Sequence, residues 1–208
     1  MRVVGLLLDS CEHVLPLLRS CALSEQWTQQ SALDRWSNAG LAGHLASSAF
    51  NLERAIGRQH DHGLVHDAVS YYATADPRPP DSPVSKRIRE LGDREAAGGA
   101  TALADRFAAS VAWLRDHAPP LDPATNVELF GQLLPIDECA TACLLELVVH
   151  ADDLAVSVGL QPVPFSDPAV DLVVATLSRI SRKRHGDLAV IRSLSRPERA
   201  PTHGISAF

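Results

Sequence analysis

The stretch from Ile136 to Val158 constrains the fold most. It holds no proline or glycine, ends at Gly159, and is apolar on nearly every side between Leu144 and Val149, apart from Glu146. A helix that is apolar all round has to be enclosed by other elements. Three further segments offer a helical stripe to enclose it. Leu7, Cys11, Val14, Leu15 and Leu18 recur between Val3 and Cys21; Leu41, Leu45, Ser48, Leu52 and Ile56 recur up to Arg58; Leu103, Phe107, Val111 and Leu114 recur between Thr101 and His117. Period-2 alternation is sustained nowhere, with one brief extended piece at Val127–Leu134. The pattern predicts an all-α, up-and-down four-helix bundle with extra C-terminal helices.

Punctuation places the connections. Pro16 should kink or break the first helix. Ser37 or Asn38 is the expected N-cap of the second. Residues 59–82 read as a long connection, with a Pro-rich stretch at 77–83. Pro83 opens a short helix to Leu91, and Gly92, Gly98 and Gly99 surround a polar break. Beyond Pro162 and Pro164, Ser166 or Asp167 caps a helix that begins at Pro168 and carries Leu172, Leu177 and Ile180 inward. A short piece, Leu188–Leu194, follows. The expected division is a bundle over residues 1–160 and a C-terminal helical extension over 161–208, packed on it as one structural unit.

Composition removes several classes. Of 208 residues, 46% are hydrophobic and 21% charged, which is globular rather than disordered. No apolar run reaches the roughly 18 residues of a membrane span, and no small-residue cleavage site follows Val3–Leu8. Without a secretion signal, four cysteines are expected to be thiols in a reducing cytosol. The net charge of −6 speaks against a nucleic-acid binder. Charge is uneven, however: Arg179, Arg182, Lys183, Arg184, Arg192, Arg196 and Arg199 stand against only Asp187 and Glu198 in the last 30 residues. This cluster either faces the acidic remainder of the fold or contacts an anion, with Arg184 and Arg192 as candidate contacts. No Gly-rich phosphate loop, nucleophile elbow or zincin motif is present.

Chemistry concentrates in Glu146-Leu-Val-Val-His150-Ala-Asp152-Asp153. Glu146 and His150 lie about 40° apart around a helix, and Asp153 about 20° from Glu146. A carboxylate, an imidazole and a second carboxylate therefore line one stripe among leucines and valines. Desolvating a carboxylate costs several kcal/mol unless something compensates it, and a divalent cation would do so. A hydrogen-bonded Glu/His pair or a hydrated helix face fits the same spacing. His44, at the edge of the apolar stripe of its helix, is the candidate third ligand. Cys139 and Cys143, one and two turns before Glu146, read as small buried hydrophobes, with extra metal ligands or a redox pair as alternatives. His60, His62 and His66 form a His-rich loop suited at most to unspecific metal binding.

Two segments carry a resemblance. Trp36-Ser-Asn-Ala-Gly-Leu-Ala-Gly-His44-Leu45 and Leu145-Glu146-Leu-Val-Val-His150-Ala-Asp-Asp153-Leu154 are similar, in order and separation, to the two motifs of the mycothiol-dependent maleylpyruvate isomerase N-terminal domain family. That family belongs to the DinB-like group of metal-binding four-helix bundles. The resemblance covers roughly residues 1–160, and Arg184-His185-Gly186 through Ser193-Leu-Ser-Arg196 resembles the tail of an actinobacterial branch. It implies a divalent metal, zinc in this family, held by His44, Glu146 and His150 with one position left open. Asp153 would support a ligand or handle a proton. The open position would take mycothiol, whose thiol ionises more readily on a metal. The implied activity is isomerisation or thiol transfer on a small electrophile, by a monomer or homodimer, without nucleic acid or membrane. The alternative is a non-catalytic metal-binding accessory or sensor bundle. Two departures stand out. Cys143 occupies a place where arginine is frequent, and only 48 residues follow Leu160, fewer than the separate C-terminal domain of the named isomerase needs.

Overall fold

The computed structural model describes residues 2–60, 62–73 and 81–207. The helices are α1 (Val3–Leu18), α2 (Cys21–Glu25), α3 (Asn38–Ile56), α4 (Ala68–Ala73), α5 (Pro83–Glu95), α6 (Ala100–His117), α7 (Ile136–Ser157), α8 (Asp167–His185) and α9 (Asp187–Ser195). A hairpin of β1 (Asn126–Leu129) and β2 (Gln132–Pro135) precedes α7. Among the described residues no helix is long and apolar enough to cross a membrane. Most of the Pro-rich 77–83 stretch lies outside the described residues.

The four long helices form a bundle as expected, but without the strictly alternating up-and-down course, since α3 and α6 run parallel. α6 and α7 each pack on both α1 and α3. The core is built from the predicted stripes: Leu7, Cys11, Val14, Leu41, Leu45, Leu52, Phe107, Leu114, Leu144 and Leu147 are all buried. Side-chain bonds fix the helix directions. Arg2, capping the start of α1, donates to Asp137 at the start of α7 (3.1 Å) and to the carbonyls of Pro119 and Leu121 just past α6. So α1 runs with α7 and against α6. The Ala32 N–H, ahead of α3, donates to Ser157 Oγ at the end of α7 (2.8 Å), so α3 opposes α7. Phe50 meets Phe107, and Ser110 donates to Glu53, so α3 and α6 run together. The directions are up, down, down, up. The long connection through α4 and α5 carries the chain back between two parallel neighbours.

Local signals set most of the ends. Ser37 caps α3 by accepting from the Gly40 N–H (3.0 Å). Pro16 lies inside α1, which stops two residues later, and Ser20 caps a separate helix, α2. The break expected in the Val3–Cys21 block thus falls after Leu18, two residues past Pro16. α7 ends in a Schellman motif: Gly159 takes φ +70°, the Leu160 N–H bonds Ala155 O, and the Gly159 N–H bonds Val156 O. The brief extended piece is the β1–β2 hairpin, in which Val127 pairs with Leu134. Phe130 and Gly131 both have positive φ, as a two-residue type I′ turn requires.

One boundary differs from expectation. Gly92 does not break the chain; it lies buried inside α5. A Cβ there would sit 2.3 Å from Gly40 O, and one at Gly43 would sit 2.1 Å from Gly92 O. The backbones of α3 and α5 touch, and only glycine permits that approach. Beyond the bundle, α8 rests on α4, α7 and α1, and α9 folds back on α8. Part of the basic cluster does meet acidic groups: Arg182 pairs with Asp187 and Arg179 lies 3.7 Å from Asp67.

Candidate metal centre

The antiparallel packing of α3 and α7 brings the two sequence motifs face to face. His44 Nε2 lies 3.2 Å and His150 Nε2 3.1 Å from the same oxygen, Glu146 Oε2. One ligand atom from each of His44, Glu146 and His150 lies within 4.8 Å of the others. The two imidazoles meet edge to face, with centroids 4.7 Å apart. Through this convergence of α3 and α7 the Glu/His pair gains a third partner, His44.

Each group is held from behind. His150 Nδ1 donates to Asp153 Oδ2 (2.9 Å), which turns Nε2 toward Glu146. The Trp36 ring packs against His44 at 5.1 Å. The Tyr72 hydroxyl lies 2.8 Å from Glu146 Oε1 and 3.2 Å from Ala142 O. Burial would push the Glu146 carboxyl up, but hydrogen bonds from His150 and His44 outweigh it and hold it well below the carboxylate range. Burial disfavours the His150 cation, but Asp153 and Glu146 outweigh that and raise its pKa to about 9. The carboxylates thus call for a positive charge among them. Two imidazole nitrogens and a carboxylate oxygen form a donor set suited to zinc and similar divalent ions.

The three residues line the wall of a cavity of about 910 Å³, bounded by α3, α4, α5, α7 and the hairpin, with Trp36, Tyr72, Ile88 and Phe130 among its walls. Arg184 lines it too, although its guanidinium donates to the backbone carbonyl of Tyr72 (2.9 Å). Arg192, the other predicted anion contact, sits on α9 and is not among the residues lining this cavity. Asp153 lies behind His150 and lines a second, mainly apolar hollow of about 580 Å³ between α7, α8 and α9.

Cys139 and Cys143 are buried free thiols, and Cys143 reaches the cavity wall. A hydrogen bond with Cys139, together with burial, pushes the Cys143 thiol well above its ordinary value, so it stands as a neutral thiol. His60 pairs with Glu128 at 3.4 Å. Among the described residues the His60, His62 and His66 loop forms no group of three metal-ligating side chains. Sequence reasoning missed Tyr72, whose segment fell inside the 59–82 connection. A signal was present: Asp67 accepts from the Ser70 N–H (2.6 Å), an N-cap that opens α4 ahead of the Tyr71–Tyr72 pair.

Fold and site together define a helical bundle in which one histidine faces a Glu-x-x-x-His pair on an antiparallel neighbour, at the wall of a cavity. The sequence model of the mycothiol maleylpyruvate isomerase N-terminal domain matches residues 7–155, and the chain belongs to that family. The match runs from α1 to within three residues of the end of α7, leaving α8 and α9 outside it. Searches of curated proteins and of solved structures return no match.

Proposed function

We propose that this protein is a divalent-metal-dependent enzyme that uses a low-molecular-weight thiol, mycothiol, for isomerisation or thiol transfer on a small electrophile. One observation carries the reading: in a chain of this family, His44 Nε2, Glu146 Oε2 and His150 Nε2 converge within 4.8 Å at the wall of a sizeable cavity. These residues would hold the ion, and zinc fits the donor set. Three protein ligands leave a coordination position, and a bound ion would supply the Lewis acidity that makes a thiolate near neutral pH.

The remaining roles belong to the chain's own residues. Asp153 holds the His150 Nδ1–H and so keeps Nε2 directed at the centre. Trp36 limits the rotation of His44. The cavity walls bring Arg87 and Arg89 from α5 to the space facing the centre, beside Arg54 of α3, which Glu95 engages; this suits an electrophile or thiol carrying anionic or hydroxyl groups. Cys143 offers a neutral thiol where an arginine is frequent in one branch of the family, so the reading extends to small electrophiles besides maleylpyruvate.

The test is a thiol titration of cobalt-loaded protein. Mycothiol should give a sulfur-to-cobalt charge-transfer band, absent in the His44→Ala variant, and metal-dependent consumption of at least one electrophile from a panel of enones, maleyl compounds and epoxides. Loaded protein that shows neither band nor turnover belongs to the sensor or accessory class instead.

A further inference from the structure

The two oxygens of Glu146 have different surroundings. Oε2 faces both imidazole Nε2 atoms, at 3.1 and 3.2 Å, whereas Oε1 lies 2.8 Å from the Tyr72 hydroxyl. A carboxylate with both oxygens free is able to chelate an ion through both. A hydrogen bond to one oxygen fixes the plane of the group and engages that oxygen's lone pair.

Tyr72 is itself held from several sides. Its carbonyl accepts from Arg184 Nη2 on α8 at 2.9 Å. Its ring meets Tyr71 edge to face at 5.0 Å and packs on the cluster of Val69, Leu145 and Ile180. The helix that carries it is tied to α7, where the Ala68 N–H donates to Glu138 Oε2 (2.8 Å). The chain of contacts therefore runs from α8, outside the family match, through α4 to one oxygen of the central carboxylate.

We propose that Tyr72 is a positioning residue that makes Glu146 a one-oxygen metal ligand, and that α8, through Arg184, holds Tyr72 in place. The open coordination position for the thiol thus depends on the C-terminal extension as well as on the bundle. The proposal rests on the metal-centre reading given under Proposed function.

The experiment compares the full chain with Tyr72→Phe and Arg184→Gln, each loaded with Co2+, by visible absorption and by titration with 2-mercaptoethanol. In the unsubstituted chain the account predicts the intense ligand-field bands of a four-coordinate ion. Tyr72→Phe should still bind one ion, but with weaker bands of higher coordination and a thiol affinity lower by about tenfold, in the range seen when a residue orienting a metal ligand is removed. Arg184→Gln should shift the spectrum in the same direction by less. If Tyr72→Phe and Arg184→Gln both keep the native spectrum and thiol affinity, the proposal is overturned while the metal reading stands. If the unsubstituted chain takes up no cobalt, the metal reading itself fails and the proposal falls with it. Arg184→Gln leaves the Tyr72 ring untouched, so it supplies the answer should Tyr72→Phe fail to fold.

Discussion

Asp153 Oδ2 accepts a hydrogen bond from His150 Nδ1 at 2.9 Å, and the opposite ring nitrogen points at Glu146 Oε2 at 3.1 Å. The carboxylate holds the Nδ1 proton, so Nε2 is the nitrogen that would give up its proton and present a lone pair to an ion. Removing such a partner typically costs 10- to 100-fold in metal affinity. Asp153→Ala should therefore weaken zinc binding by about that factor while leaving the fold intact, as read by competition with a chromophoric chelator. An affinity equal to that of the unsubstituted chain would show that Asp153 does not orient His150.

The contact between Gly43 and Gly92 makes a second expectation. A Cβ on Gly43 would lie 2.1 Å from Gly92 O, a backbone atom with no rotamer by which to step aside. Gly43→Ala must move α5 off α3 and should cost about 1–3 kcal/mol, the usual range for overpacking. Gly92→Ala meets Gly40 O in the same way. Because both act on one crossing, the double variant should lose less than the two single losses added together. Urea melts of the three variants check this, and a Gly43→Ala chain of native stability would refute the close approach.

These two residues also mark the limits of what the sequence discloses. Stripes such as Leu41–Leu45–Ser48–Leu52, the Ser37 cap and the Gly159 terminus are local patterns, so the bundle and the His44, Glu146 and His150 positions were legible before any coordinates. Gly92 was not, because a glycine among polar residues looks like a break until Gly40 and Gly43 are seen against it. Tyr72 escaped for a related reason. The described part of its helix, Ala68–Ala73, is too short to show a stripe, and its partner Glu146 is 74 positions away. The parallel course of α3 and α6 likewise depends on contacts such as Phe50 with Phe107.

Glu95 supplies a pH dependence. Its carboxylate joins Arg54 of α3 at 2.9 Å and Arg106 of α6, and is itself only 14% exposed. Burial alone would raise its pKa, but the two guanidinium groups outweigh that and lower it. A carboxyl whose folded pKa is depressed contributes stability that is present above its unfolded value and lost as pH falls through the folded one. Glu95→Gln should therefore be less stable than the native chain by about 1–2 kcal/mol near neutral pH. The two chains should converge in acid, at a pH below the ordinary carboxylate range, where Glu95 takes up its proton. Denaturant melts at the two pH values give the comparison, and a difference that persists unchanged in acid would contradict the assignment.

The central claim is that His44, Glu146 and His150 form one metal centre. Elemental mass spectrometry on the protein purified without a histidine tag, alongside His44→Ala, Glu146→Ala and His150→Ala, addresses it most directly. The account predicts close to one zinc or comparable divalent ion per native chain, lost in all three variants while their helical circular dichroism is retained. A native chain that carries no ion even after incubation with zinc, or variants that keep the native stoichiometry, would contradict it.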